Sequence, residues 1–157
     1  MNTTITTKQQ SILLSKKGIK ELKRSIITLE HDRSTLIRGL HELDRSSSHD
    51  DRLERIERLA RLEAVEAELY EKRRMLSHAQ LIPTRRARMK VALGSVVDLI
   101  DQQGHLFRYT LVDTVEANPS DGRISIISPL GSSLVGKTAH DTIQWRGGQS
   151  FQLISIK

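Results

Sequence analysis

Ile19, Leu22, Ile26, Leu29, Leu36, Leu40 and Leu43 recur at alternating spacings of three and four, and only Arg33 breaks the series. This pattern draws one apolar seam along a helix and requires a second helix to cover it. The cover is close at hand: a leucine-rich, charge-studded run over 53–76 follows the polar interruption Arg45-Ser46-Ser47-Ser48-His49. So short a connection makes the two helices antiparallel neighbours. Helix one is expected over 15–43 with Ser15 as its N-cap, and helix two over 51–79. Leu53, Ile56, Leu59, Ala60, Leu62, Val65, Leu69 and Leu76 form a broader stripe on helix two, where Ala60, Ala64 and Ala67 allow close approach. A hairpin of this kind carries its chemistry at its end, here residues 44–54.

Pro83 ends the helical pattern, and Arg85, Arg86, Arg88 and Lys90 make a basic linker over 83–93. Beyond Gly94 the period changes to the two-residue alternation of strands. Strands are expected over 95–101, 106–115, 123–127, 142–146 and 149–156, with a short helix near 132–135. Gln102-Gln103-Gly104 and Gly147-Gly148 read as turns, and residues 118–122 as a loop. The fold class is therefore α+β. A flexible tail (1–11) leads into an antiparallel coiled-coil hairpin (12–82), and a small, mostly antiparallel sheet domain (94–157) follows the linker.

Charge follows the same division. Residues 92–157 hold five basic side chains (Arg108, Arg123, Lys137, Arg146, Lys157) against six acidic ones, while the first 91 residues hold 20 against 13. A basic hairpin suits a polyanionic neighbour such as RNA, DNA or an acid-lined protein channel; Glu/Arg ladders on a solvated coiled coil account for many of the same charges. With no cysteine, disulfides, thiolate catalysis and Cys-ligated zinc are excluded. Residues 1–10 lack an apolar signal core, and no run is long enough to span a bilayer, so a soluble, cytoplasmic protein without membrane contact is expected.

Gly131-Ser132-Ser133-Leu134-Val135-Gly136-Lys137-Thr138 matches the phosphate-loop pattern G-x-x-x-x-G-K-[ST]. A working loop leaves a buried strand and opens a long helix whose amides hold the phosphates. Here only Thr138-Ala139-His140-Asp141 separate it from the expected strand at 142, so no helix fits and nucleotide hydrolysis is rejected.

The run Ile126-Ile127-Ser128-Pro129-Leu130-Gly131-Ser132-Ser133-Leu134-Val135-Gly136-Lys137 resembles the Ser-Pro…Leu-x-Gly-Lys signature of the Gre transcript-cleavage factors, the GreA and GreB type. Gly94-Ser95-Val96-Val97-Asp98-Leu99, Gly18-x-x-x-Leu22 and Ser77-His78-Ala79-Gln80-Leu81-Ile82 are similar to other parts of that family, so the resemblance covers about 12–157. It implies a C-terminal domain of FKBP-like fold that docks on bacterial RNA polymerase at the mouth of its secondary channel. The coiled coil then enters the channel and sets acidic tip residues beside the polymerase magnesium. In cleaving members a tip Asp and Glu help to hold a second metal, and the polymerase hydrolyses backtracked RNA. Two hard cations about 4 Å apart stabilise the attacking and leaving oxygens of such a reaction.

The family's Asp-Leu-x-Glu-Asn-Ala-Glu-Tyr tip is not reproduced here. The available acids are Asp44, Asp50, Asp51 and Glu54, and Asp51 with Glu54 keeps the Asp-x-x-Glu spacing. The same spacing serves as a capping box opening helix two, and both roles can coexist. Arg45, Arg52 and Arg55 oppose a metal by charge, so a Gre-like inhibitor of polymerase is the alternative to a cleavage factor, and a non-catalytic coiled-coil adaptor stands behind both. The resemblance implies no metal or cofactor held by the free protein, magnesium shared with polymerase at the tip, and a monomer without catalysis of its own. It also points to polymerase docking through Ser128, Pro129, Leu130, Gly136 and Lys137. The linker cations Arg85, Arg86, Arg88 and Lys90 are candidates for contact with nascent RNA or an acidic surface. His41 and His49 make no metal-ligand pairing with the nearby acids. Prolyl isomerase activity is not expected, since Phe107, Tyr109, Trp145 and Phe151 are needed as a small core.

Overall fold

The computed structural model describes residues 11–43, 49–83 and 89–157. The expected N-terminal tail, Asp44 and the polar tip residues 45–48, and linker residues Arg85, Arg86 and Arg88 fall outside them. The chain divides into two units: the hairpin, with Lys17–Ala79, and a second comprising Ile12–Lys16 and Gln80–Lys157.

In the hairpin, α1 (Lys16–Leu43) and α2 (His49–His78) are the two expected helices. Ile26, Leu29 and Leu69 are its buried centre, with Leu22, Val65 and Leu76 packed around them. Antiparallel register is held across the seam by two ion pairs, Arg33 Nε to Glu66 Oε1 at 2.9 Å and Arg73 Nη2 to Glu30 Oε1 at 2.6 Å. Arg33, the one break in the apolar series, is thus used as a rung.

The broad stripe expected on α2 is corrected by the structure. Leu53, Ile56, Leu59 and Ala60 are exposed, and the half-buried positions in this half of α2 are Asp51, Arg58 and Leu62. Positions 51, 58, 62, 65, 69, 72 and 76 keep the three-and-four spacing that faces α1; Leu53 and Ile56 lie on the other side of the helix.

The second unit holds a five-stranded sheet in the order β5-β4-β3-β7-β6. Its strands are β3 (Val96–Asp101), β4 (Leu106–Val112), β5 (Arg123–Ser125), β6 (Thr142–Gln144) and β7 (Ser150–Ile156). All pairings are antiparallel except β4 with β5. A separate pair, β1 (Ile12–Leu14) with β2 (Ala79–Leu81), has no counterpart in the sequence reading. Three residues are too few to show a period. Its presence moves the start of this unit well upstream of Gly94.

Alternation places Val97 and Leu99 of β3, Leu111 of β4 and Leu153 of β7 on one face, all fully buried. Leu134 of α3 (Pro129–Leu134) covers them together with Val91, Ile124 and Ile143. Val91, expected in the linker, is therefore core. The short helix begins three residues earlier than expected because Pro129 supplies a ready first position behind the cap Ser128. Phe107 and Phe151 meet edge to face at 5.8 Å at the rim of this core, whereas Trp145 is outside the cluster.

Candidate functional site

The tip acids occupy the first turns of α2. Asp50 is exposed and has no recorded partner among the described residues; Asp51 is half-buried. Glu54 Oε1 accepts from Arg58 Nη2 at 2.5 Å. Asp50 and Glu54 are one turn apart on a common exposed side, so this pair, and not Asp51 with Glu54, presents two carboxylates outward together. Arg58 lies over Gly39 of α1, where an added Cβ would displace the flexible guanidinium end. The hairpin thus closes near its tip on a charged side chain, and that side chain also holds Glu54.

Acids in the first turn of a helix suit the positive end of its dipole, so the capping role remains physically sound. Among the described residues no three His, Asp or Glu side chains converge as a metal-binding group. Two outward carboxylates are hard oxygen donors that fit one side of a magnesium shell, which commonly takes one or two carboxylates with substrate oxygens. The remaining ligands have to come from outside this group.

The signature residues of the C-terminal unit do structural work. Ser128 Oγ accepts from Gly131 N–H at 3.1 Å and donates to Ser125 O at 2.6 Å, capping α3 and tying it to β5. Gly131 is packed so tightly that a Cβ would overlap the Ser125 carbonyl. Gly136, at φ +81°, turns the chain so that its N–H donates to Val91 O at 2.8 Å; Val91 N–H donates to Lys137 O at 2.8 Å. Leu130 packs on the core, while Pro129 and Lys137 face solvent.

The phosphate-loop match fails on geometry. Its helix precedes Gly136-Lys137, and the Thr138 N–H and hydroxyl are both engaged by Asp141 Oδ2, at 2.7 and 3.0 Å. Those two bonds, the backbone one first, hold the Asp141 carboxyl below its ordinary range. Flanking α3, Ile127 and Val135 are exposed apolar side chains that the sequence reading passed over. Ile127 follows an alternating run directly and was readable only as its continuation. Lys90, the described linker cation, is exposed.

A buried ionic cluster was also missed. Glu116, in the one-turn helix Thr114–Glu116, accepts from Ser15 N–H at 2.8 Å and from the Ser15 hydroxyl, and its Oε1 lies 3.6 Å from Arg123 Nη1. Arg123 Nε also donates to Asp121. Nothing in the local pattern marks Glu116 as buried.

Comparison with known proteins gives these features a setting. Residues 86–157 match the family model described as transcription elongation factor GreA/GreB, C-terminal. The chain is 33% identical over 145 residues to transcription elongation factor GreA of Helicobacter pylori strain Shi470, spanning 89% of this chain and 83% of that one. GreA of Helicobacter hepaticus is 32% identical over the same shares. Among solved structures, the GreA factor homolog 1 (Gfh1) of Thermus thermophilus aligns over 94% of this chain and 99% of its own at 22% identity, with a TM-score of 0.43. At one third identity over nearly nine tenths of its length, the chain belongs to the GreA/GreB family of transcription elongation factors.

Proposed function

We propose that this chain binds bacterial RNA polymerase at its secondary channel and acts on the polymerase active site through Asp50 and Glu54, with Asp51 beside them and Asp44 nearby in sequence. The observation that carries the reading is the pair of exposed carboxylates at the start of α2 in a GreA/GreB-family chain. Asp50 is placed to hold a cation or its water, and Glu54 to orient a water once Arg58 lets go of it. Magnesium bound there would stabilise charge on the attacking and leaving oxygens of backtracked RNA. Ser128, Pro129, Leu130, Gly136 and Lys137 shape the docking surface: the glycine and serine by folding it, Pro129 and Lys137 by direct contact, with exposed Ile127 and Val135 beside them. Lys90, with Arg85, Arg86 and Arg88, contributes positive charge toward RNA or an acidic surface.

The second reading is inhibition of the polymerase without cleavage. Arg58 favours it, because a guanidinium 2.5 Å from Glu54 opposes a cation at the same oxygen.

The test uses a stalled, backtracked elongation complex with magnesium. Shortened RNA that disappears with Asp50→Ala or Glu54→Ala supports the cleavage reading. Slower extension without shortening selects inhibition, and absence of polymerase binding sinks both.

A further inference from the structure

The tip half of α2 exposes three aliphatic side chains, Leu53 (58%), Ile56 (63%) and Leu59 (46%). Leu53 and Ile56 stand on the outward side of the helix, away from the seam residues Leu62, Val65 and Leu69; Leu59, one turn before Leu62, extends the ridge to the border of the seam, with Ala60 beside it. Folding of the hairpin leaves this ridge without cover, while polar Asp51 and Arg58 take half-buried positions in the same stretch. An arrangement that turns three large apolar groups outward fits a surface that is covered when the protein acts.

We infer that this ridge is a second contact with the polymerase, packing on an apolar protein surface of the channel wall and fixing the depth and rotation of the tip. The inference rests on the function proposed above. Two observations select this occupant.

Three side chains fall far short of the roughly 20–30 residues, about 800 Å² per partner, of a stable interface, so the ridge does not hold a second copy of this chain by itself. It needs a partner already secured through another surface, for which a small added contact acts at high effective concentration. Continuity supplies that partner. Leu53 lies one turn from Asp50 on the same flank of the helix, and Ile56 one turn beyond Leu53, so a surface that receives Asp50 also meets the ridge. Nucleic acid is disfavoured because aliphatic groups offer bases no aromatic platform.

The ridge is a positioning element, since it touches neither metal nor RNA. The combined variant Leu53→Ser, Ile56→Ser, Leu59→Ser removes it without touching the buried seam. Wild type and variant are titrated into elongation complexes, with binding and the effect on RNA read separately. The ridge predicts unchanged helix content and at least roughly tenfold more protein for the half-maximal effect. Restoration by Leu53→Met, Ile56→Val and Leu59→Met, which keep the patch apolar, also supports it. A serine variant as potent as wild type overturns the ridge and leaves the proposed function standing; wild type that does not bind polymerase overturns both.

Should the serine variant lose helix, a photo-crosslinking residue at position 56 decides. Crosslinks to polymerase protein support the inference. Crosslinks to RNA, to a second copy, or to nothing overturn it.

Discussion

Asp98 of β3 accepts the Arg108 Nε–H at 2.6 Å directly across the β3–β4 ladder, where the two residues are register partners. Arg108 Nη2 at 3.2 Å and the Ser155 hydroxyl at 2.7 Å complete the acceptor set, and Lys157 Nζ stands 3.9 Å away. The Arg108 bonds, then Ser155, hold the Asp98 carboxyl down to about 2 from an ordinary 3.8. A depressed folded-state value means stability that is fully present above pH 3.8 and lost as pH falls toward 2. Arg108 is largely solvated, so screening leaves about 1–2 kcal/mol. Urea unfolding of wild type and Asp98→Asn is therefore expected to differ by that amount at pH 7 and to converge near pH 2. An equal gap at both pH values rules the assignment out.

Glu116 presents a different case, because its side chain is almost wholly buried and Arg123 beside it is nearly so. Removing one member of such a pair leaves the other charge without its full compensation. Glu116→Ala is expected to destabilise the protein by about 3 kcal/mol, and Glu116→Gln by about half that, since its amide oxygen still accepts from Ser15. Equilibrium denaturation in guanidinium measures both; a loss below about 0.5 kcal/mol for the alanine variant contradicts the cluster's role.

Gly131 and Gly136 need glycine for separate reasons. At Gly131 the obstacle is the Ser125 carbonyl, which is backbone and cannot swing aside, so Gly131→Ala should cost about 2–3 kcal/mol. At Gly136 there is open space but a left-handed φ of +81°, and Gly136→Ala should cost only about 1 kcal/mol. Thermal midpoints read the order directly, and a reversed order defeats the packing account.

Arg58→Ala separates stability from activity at the tip. The pair with Glu54 is partly exposed on both sides, so its loss should change unfolding free energy by less than about 1 kcal/mol. If the chain acts by the proposed cleavage route, the freed Glu54 carboxylate raises RNA shortening at limiting magnesium. Unchanged shortening at every magnesium concentration shows that Arg58 does not restrain Glu54.

Periodicity made the hairpin legible because Ile26, Leu29 and Leu69 belong to a repeat long enough to show its phase. The five strands were legible for the same reason, with ends shifted by a few residues. Leu53 and Ile56 misled because helix two carries apolar residues around much of its circumference, and only the partner helix decides which side is inside. β1 was invisible because three residues carry no period. At the candidate site, Asp50, Asp51 and Glu54 could be named as acids near the tip, but which of them share an exposed side could not: Asp51 is half-buried, which the Asp-x-x-Glu spacing alone does not disclose.

The β1–β2 pair has a consequence for how the chain acquires its structure. Ile82 N–H donates to Leu14 O at 2.9 Å, joining residues 68 apart in sequence. A flexible loop of that length closes against an entropic penalty that grows with the logarithm of its length. Here the intervening residues are the helical hairpin itself. Once α1 and α2 have paired along their seam, the start of α1 and the end of α2 are already neighbours and the strand pair closes at little further entropic cost. Mutations that weaken the hairpin seam should thus slow the formation of β1–β2 even though none of them touches it.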